Sequence, residues 1–258
     1  MKTLKLGSSG LEVKRMQNFL IGLNLLLGAA DGEFGRKTED SVRAYQRSRR
    51  LSVDGIVSNL TLAKMMAEGF ALLQPVANDN YPAKPNFSPF TSNSERMTVF
   101  GAFKWKHTPQ PGNREHITVL DNWAEENLVK VDIPQIKLIK GADGIGTTRR
   151  FHKKIAASVQ ALWADWEKEG LMDDILTYDG DYVPRLVRGS SVSLSNHAFG
   201  TAFDINAEWN GLGRVPPKVG QKGSVLRLVP LMHKHGFYSG VHFSRLDGMH
   251  VERSKRGF

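Results

Sequence analysis

Residues 74–92 hold four prolines, Pro75, Pro82, Pro85 and Pro89, and show no apolar periodicity. Proline locks φ and removes a backbone donor, so such a run cannot lie inside a helix or a central strand. The chain must therefore fold as separate units on either side of it. At 258 residues it exceeds the usual single-domain length, and each side can build its own core. We place an N-terminal domain at 1–70, a linker at 71–95 and a C-terminal domain at 96–258.

The N-terminal part contains a near-repeat. Asp31-Gly32-Glu33-Phe34-Gly35-Arg36-Lys37-Thr38 is echoed by Asp54-Gly55-Ile56-Val57-Ser58-Asn59-Leu60-Thr61. Each copy opens with an Asp-Gly turn and leads into a helical pattern. Val13, Met16, Leu20 and Leu23 mark a first helix, Val42 and Tyr45 a second, and Leu62, Met65 and Met66 a third. Three short helices joined by Asp-Gly turns predict a small all-α three-helix bundle.

The formal charge is +9, which draws a protein toward polyanions such as anionic envelope polymers. No lysine-arginine block suits a nucleic-acid arm, so nucleic acid is not an expected partner. No stretch approaches the roughly 18 apolar residues of a bilayer span, and no membrane insertion is expected. The first residues, Met1 to Gly7, lack the apolar core of a secretory leader, which predicts synthesis in the cytoplasm. There is no cysteine, so disulfides and thiolate metal sites are excluded while the redox compartment stays open.

Beyond the linker the predicted elements alternate in type, giving an α+β domain. Phe151, Ile155, Val159, Leu162 and Trp166 fall at spacings of 4, 4, 3 and 4, one face of a helix ending near Gly170. Strands are expected at Ile175–Tyr178, at Ala202–Asn206 and around Phe237–Phe243. A helix marked by Val225, Leu228, Leu231 and Met232 lies between the last two.

The chemistry concentrates in two segments. In Ser195-Asn196-His197-Ala198-Phe199-Gly200-Thr201-Ala202-Phe203-Asp204, a His and an Asp seven apart bracket a glycine and lead into a strand. The second segment is Asp247-Gly248-Met249-His250-Val251-Glu252. Two imidazoles and one carboxylate are the ligand set of a catalytic zinc, which keeps a fourth position for water. Asp247, three residues before His250, is placed to take that water's proton. Singly these signals are weak: a lone His on an Ala-rich segment is more often packed or capping, and Asp204 could simply hydrogen-bond to a turn.

The order and spacing of the whole constellation resemble a known family, the zinc D-Ala-D-Ala carboxypeptidases and L-alanyl-D-glutamate endopeptidases, whose fold is shared with the hedgehog signalling domain. Ser195, His197, Gly200, Ala202, Asp204, Asp247 and His250 carry the resemblance, with further likeness through Tyr182–Ser190, Asn210–Gly213 and Gly223–Val225. It implies one zinc ion held by His197, Asp204 and His250, with Asp247 as general base. It also implies an arginine ahead of the first ligand that holds the substrate carboxylate or the developing oxyanion; Arg185 fits best and Arg188 is the runner-up. Ser195, within the signature, and His242, on the segment feeding Asp247, are candidate substrate-binding residues. Tyr238-Ser239-Gly240-Val241-His242-Phe243 stands where many relatives carry Trp-Gly-Gly and another Trp, so the cleft wall is expected to differ.

The N-terminal residues resemble the peptidoglycan-binding module common in cell-wall hydrolases. The pattern runs through Leu6-Gly7, Gly10, Val13, Gln17, Leu20, Asp31-Gly32, Phe34-Gly35, Thr38, Val42, Gln46, Asp54-Gly55-Ile56-Val57 and Thr61, with departures at Arg50 and Ser58. Together the two resemblances imply a modular lysin. It would be a monomer whose bundle tethers a zinc peptidase to the bacterial peptidoglycan mesh, raising local concentration. A chain made without a leader fits a phage endolysin released late in infection. The alternatives are a bacterial D,D-carboxypeptidase of wall remodelling and a non-catalytic, zinc-containing wall-binding protein. Retention of an acidic residue at 247 argues against the last. A glycosidase would need a carboxylate pair that no segment offers in a recognisable setting.

Overall fold

The computed structural model describes residues 3–71, 81–142 and 144–257; positions 72–80 of the expected linker lie outside them. The N-terminal bundle consists of α1 (Leu11–Gly22), α2 (Arg36–Ser48) and α3 (Asn59–Ala67). Val13, Met16, Phe19, Leu20, Val42, Tyr45, Leu62 and Met65 form its core. Met66, expected on the buried face, is instead 47% exposed, because α3 is only nine residues long and Met65 alone fills that layer.

The near-repeat has a physical basis in two buried glutamines. Gln17 Oε1 accepts from the Gly32 amide at 2.8 Å while Nε2 reaches Asp31 Oδ1 (2.8 Å) and the Glu33 carbonyl (2.9 Å). Gln46 repeats this with Gly55 (2.9 Å), Asp54 Oδ1 (2.7 Å) and the Ile56 carbonyl (2.9 Å). Each glutamine thus staples an Asp-Gly turn to the preceding helix and satisfies backbone groups that would otherwise be buried unpaired. Gln46→Ala should lower the unfolding free energy by about 1–3 kcal/mol, the cost of leaving such groups unmet; a denaturant titration of the full chain reads it, and an unchanged midpoint would deny the staple its role.

The C-terminal part opens with α4 (Asn93–Phe100), followed by β1 (Trp105–His107), β2 (Ile117–Val119), α5 (Trp123–Asn127), β3 (Leu128–Asp132), β4 (Thr148–His152) and α6 (Ala156–Lys168). Then come β5 (Tyr178–Gly180), β6 (Ala202–Ile205), α7 (Val229–Lys234), β7 (Phe237–Ser239) and β8 (His250–Arg253). β1 pairs with β2 and β3 with β4, and the other four strands form one antiparallel sheet in the order β5-β6-β8-β7.

Strand alternation sorts that sheet into two faces. Phe203 on β6 and Val251 on β8 join the core, where Phe203 packs on Trp163 and Trp166 of α6 at ring separations of 5.9 and 6.2 Å. The intervening residues, Asp204, His250 and Glu252, take the opposite face. The core therefore sets which side chains are left for chemistry.

Several boundaries differ from the periodic expectation. Phe151 belongs to β4, not to α6, because its segment pairs with β3 over five residue pairs; its ring still reaches the same core, 6.1 Å from Phe203. Val225 and Leu228 precede α7, since Pro230 lacks a donor and is tolerated only in a first turn. The strand expected at Ile175–Tyr178 begins only at Tyr178, and the one around Phe237–Phe243 ends at Ser239 in a 3-10 turn over Gly240–His242.

The described part of the linker lies against the C-terminal core. Phe90 is 3% exposed, its carbonyl accepts from Arg96 Nη2 at 2.8 Å, and the Tyr81 hydroxyl donates to the Val241 carbonyl. Ser92 then starts α4 with a capping box closed by Glu95. Among the described residues no helix is long and apolar enough to cross a membrane.

Candidate metal centre

Strand register brings two of the expected ligands face to face. Asp204 on β6 stands directly opposite His250 on β8, and neighbours across an antiparallel pair have closely spaced side chains. His197 arrives from the 3-10 turn Asn196–Phe199 that precedes β6. Ser195 caps this turn, its Oγ accepting from the His197 amide at 3.3 Å. Gly200 closes the turn at φ 61°, where a Cβ would lie 2.6 Å from Leu128 Cδ2, so both handedness and space call for glycine there.

The three side chains meet in a near-equilateral triangle. Asp204 Oδ1 lies 3.2 Å from His197 Nε2 and 3.1 Å from His250 Nδ1, and the two nitrogens are 3.1 Å apart. Each imidazole is oriented through its other nitrogen. His197 Nδ1 donates to the Asp181 carbonyl at 2.6 Å, and His250 Nε2 donates to Glu252 Oε2 at 3.1 Å. A carbonyl can only accept, so the proton sits on Nδ1 of His197 and its Nε2 lone pair faces the centre. Ligands held at about 2.0–2.1 Å around a tetrahedral zinc stand roughly 3.3 Å from one another, so the triangle has the size and donor set of a zinc site.

Electrostatics point the same way. Burial opposes ionisation of Asp204, yet the two imidazoles hold it well below the usual carboxylate range. Burial likewise opposes charge on His250, but hydrogen bonds to Asp204 and Glu252 raise it to about 10. Burial pushes His197 the other way, below its usual value, and leaves it a neutral imidazole, the form that ligates a metal.

Asp247 stands beside the triangle, its Oδ1 buried without a hydrogen-bond partner among the described residues. Burial, helped by Asp204, lifts it to about 6 against the pull of His250, Arg245 and Arg185. It shares a cavity of about 380 Å³ with Arg185, Ser195, Asp204, His242 and His250. Arg185 also opens onto a larger cleft of about 760 Å³ that reaches His197 and Asp204 from the other side. Arg188 lines both spaces, but its Nη1 donates to Asn24 Oδ1 of the bundle at 2.7 Å. Of the two arginines, Arg185 has the metal-site carboxylates as its electrostatic neighbours.

His242 reaches the cavity as part of its wall, its ring 5.2 Å from His233, 5.9 Å from Tyr238 and 6.0 Å from Tyr81. Burial pushes it down to about 4, so it lines the space as a neutral ring. Three histidines away from the triangle have structural partners. His107 meets the Arg114 carbonyl, His116 meets Thr108, and the buried His152 donates to the Phe100 carbonyl.

Sequence reasoning missed the support behind His250. Glu252 is 3% exposed, accepts from Asn196 Nδ2 as well as from His250, and takes the Ser254 hydroxyl at 3.0 Å. Asn196 Oδ1 in turn accepts from Arg96 Nε at 3.1 Å. A carboxylate two positions after a histidine shares its face on a strand, which is the signal that could have found it.

Residues 9–65 match the family described as putative peptidoglycan binding domain, and residues 188–253 match the family described as D-alanyl-D-alanine carboxypeptidase. The chain carries one domain of each family. The peptidoglycan-binding module is the α1–α3 bundle, and the peptidase-family match takes in Asp204, Asp247 and His250 together with His197. Over 84 residues the chain is 34% identical to an N-acetylmuramoyl-L-alanine amidase of Bacillus licheniformis, an overlap covering 32% of this chain and 23% of the amidase. The chain thus spans under a quarter of that curated relative. Among solved structures, the SleB N-terminal domain is 29% identical over 26% of this chain and 90% of its own, with a TM-score of 0.25. A fused Zn-dependent amidase/peptidase/peptidoglycan-binding domain-containing protein from Clostridium acetobutylicum ATCC 824 is 29% identical over 38% of this chain and 40% of its own, at 0.23. A Burkholderia AP3 phage endolysin is 18% identical over 64% and 52%, at 0.25.

Proposed function

We propose that this chain is a monomeric zinc peptidase of peptidoglycan, cutting a stem-peptide amide bond in the manner of an endolysin. The bond would be L-alanyl-D-glutamate or a D-Ala cross-bridge. The reading assigns wall binding to residues 1–70, catalysis to 96–258 and the connection to 71–95. The observation that carries it is the His197–Asp204–His250 triangle with Asp247 beside it, within a stretch matching the carboxypeptidase family.

His197 Nε2, Asp204 Oδ1 and His250 Nδ1 would hold the metal. Zinc at such a site supplies Lewis-acid polarisation of the scissile carbonyl and of the attacking water. Asp247, already biased toward proton uptake by burial, accepts the proton and returns it to the leaving amine. The Arg185 guanidinium faces the same space and stabilises the oxyanion that develops, or holds a substrate carboxylate. Ser195 keeps His197 in place, and the ring of His242 helps to exclude water.

The family description itself favours a second reading, removal of a terminal D-alanine. The module favours internal cleavage, since a tether gains most on an insoluble mesh. One experiment separates the two. Purified peptidoglycan is digested with the full chain, with and without a chelator, and fragments are read by mass spectrometry. New internal peptide termini that vanish on chelation and return with zinc are expected. Free D-alanine alone would favour the exopeptidase, and new reducing sugar ends or chelator-proof activity would sink both readings.

A further inference from the structure

The bundle is seated on the peptidase domain, not hung from it. Leu212, from the loop after β6, is 4% exposed and buried in the bundle's core. Backbones touch directly: a Cβ on Gly22 would overlap the Leu212 carbonyl, and one on Gly213 would lie 2.5 Å from the Phe19 nitrogen. The Val215 amide donates to the Gly69 carbonyl at 2.6 Å, and Arg188 reaches Asn24 as described. Contacts this close leave no room for sliding.

This seating fixes the segment that follows α1. The amides of Leu25 and Leu26 both point to the Leu20 carbonyl, at 2.9 and 3.3 Å, and Leu26 is buried at 6%. Its neighbour Leu27 is 58% exposed, although it lies in the lining of the 760 Å³ cleft that also holds His197 and Asp204. Arg114, Arg185 and Arg188 line the same cleft. One space therefore presents the apolar Leu27 from the bundle, three arginines from the other domain that outnumber the carboxylates of Glu115 and Asp179, and His197 and Asp204 of the metal triangle.

We infer that Asn24 and Leu26–Ala29 of the peptidoglycan-binding module form a wall of the catalytic cleft and take part in recognising an acidic, aliphatic peptide. The arginines receive its carboxylates and Leu27 packs on its methyl groups. The module then selects substrate at the metal site as well as locating the wall. The inference rests on the peptidase reading above, and it differs from simple tethering because a tether has no effect on a free peptide.

The test uses the full, zinc-loaded chain and two substrates, insoluble peptidoglycan and a soluble stem peptide freed of glycan. Leu27→Asp places a carboxylate where an anionic peptide must pass. It should raise KM for the soluble peptide about tenfold with kcat within about twofold of the parent, the mark of lost binding common to ground and transition states. Binding to insoluble peptidoglycan and zinc content should not change. Leu60→Asp, equally on the module's surface at 67% exposure but outside the cleft lining, should keep the parental KM for the soluble peptide. A parental KM for Leu27→Asp would overturn the inference, as would a parent that cuts the insoluble wall but not the free peptide. Failure of the peptidase reading looks different: the parent would release no new peptide termini from either substrate.

Discussion

Asp247→Asn should bind zinc as the parent does and lose about 10²–10⁴-fold in kcat, the usual contribution of a positioned general base. The substitution keeps the shape of the side chain and removes only its ability to take a proton. Folding should be spared, because Asp247 Oδ1 makes no hydrogen bond among the described residues and the turn is held by backbone groups. The Asp247 amide donates to the Gly240 carbonyl at 3.1 Å, and its own carbonyl accepts from His250 at 2.9 Å. Zinc content by atomic absorption and kcat on a soluble peptide give the two readouts. A variant that keeps zinc and turns over near the parental rate would show that another group is the base. One that loses zinc would show that Asp247 belongs to the ligand set.

The triangle was legible because its three members sit in two short segments whose order and spacing are informative before any fold is known. What brings them together is not local. Asp204 meets His250 through the register of β6 on β8, and that register follows from packing Phe203 and Val251 on α6. Glu252 was hidden for the same reason. β8 is four residues long, too short for alternation to announce a strand, and only on a strand do positions 250 and 252 share a face. Arg96 and Asn196 are 100 residues apart in sequence, so no periodicity links them. Phe151 shows the opposite error: its helical spacing from Ile155 was real, but five pairs of ladder partners with β3 outweighed it. The seating of the bundle left no pattern of its own, since Leu212 and Gly213 read only as part of the family likeness at Asn210–Gly213 until their partners on α1 are known.

Glu252→Gln should weaken zinc binding by about 10–100-fold, the range typical for loss of a carboxylate behind a ligating histidine. Glutamine retains an oxygen that can accept from His250 Nε2, so the ring keeps its orientation. The negative charge that makes the imidazole a stronger donor is lost, and with it the Glu252 share of the field that, together with Asp204, raises His250 to about 10. Glu252 touches no reacting atom, so it is a positioning residue, and its effect should be seen in metal affinity more than in kcat of the zinc-saturated enzyme. Ser254→Ala supplies the contrast. It removes a 3.0 Å hydrogen bond to the other oxygen of the same carboxylate while leaving the charge, so zinc affinity should fall by much less. Competition against a chelator of known affinity, at fixed pH, measures both variants. Equal affinity for Glu252→Gln and the parent would mean that the charge behind His250 does not tune the site, and that Glu252 serves only to join Asn196 and Ser254 in the core of the sheet.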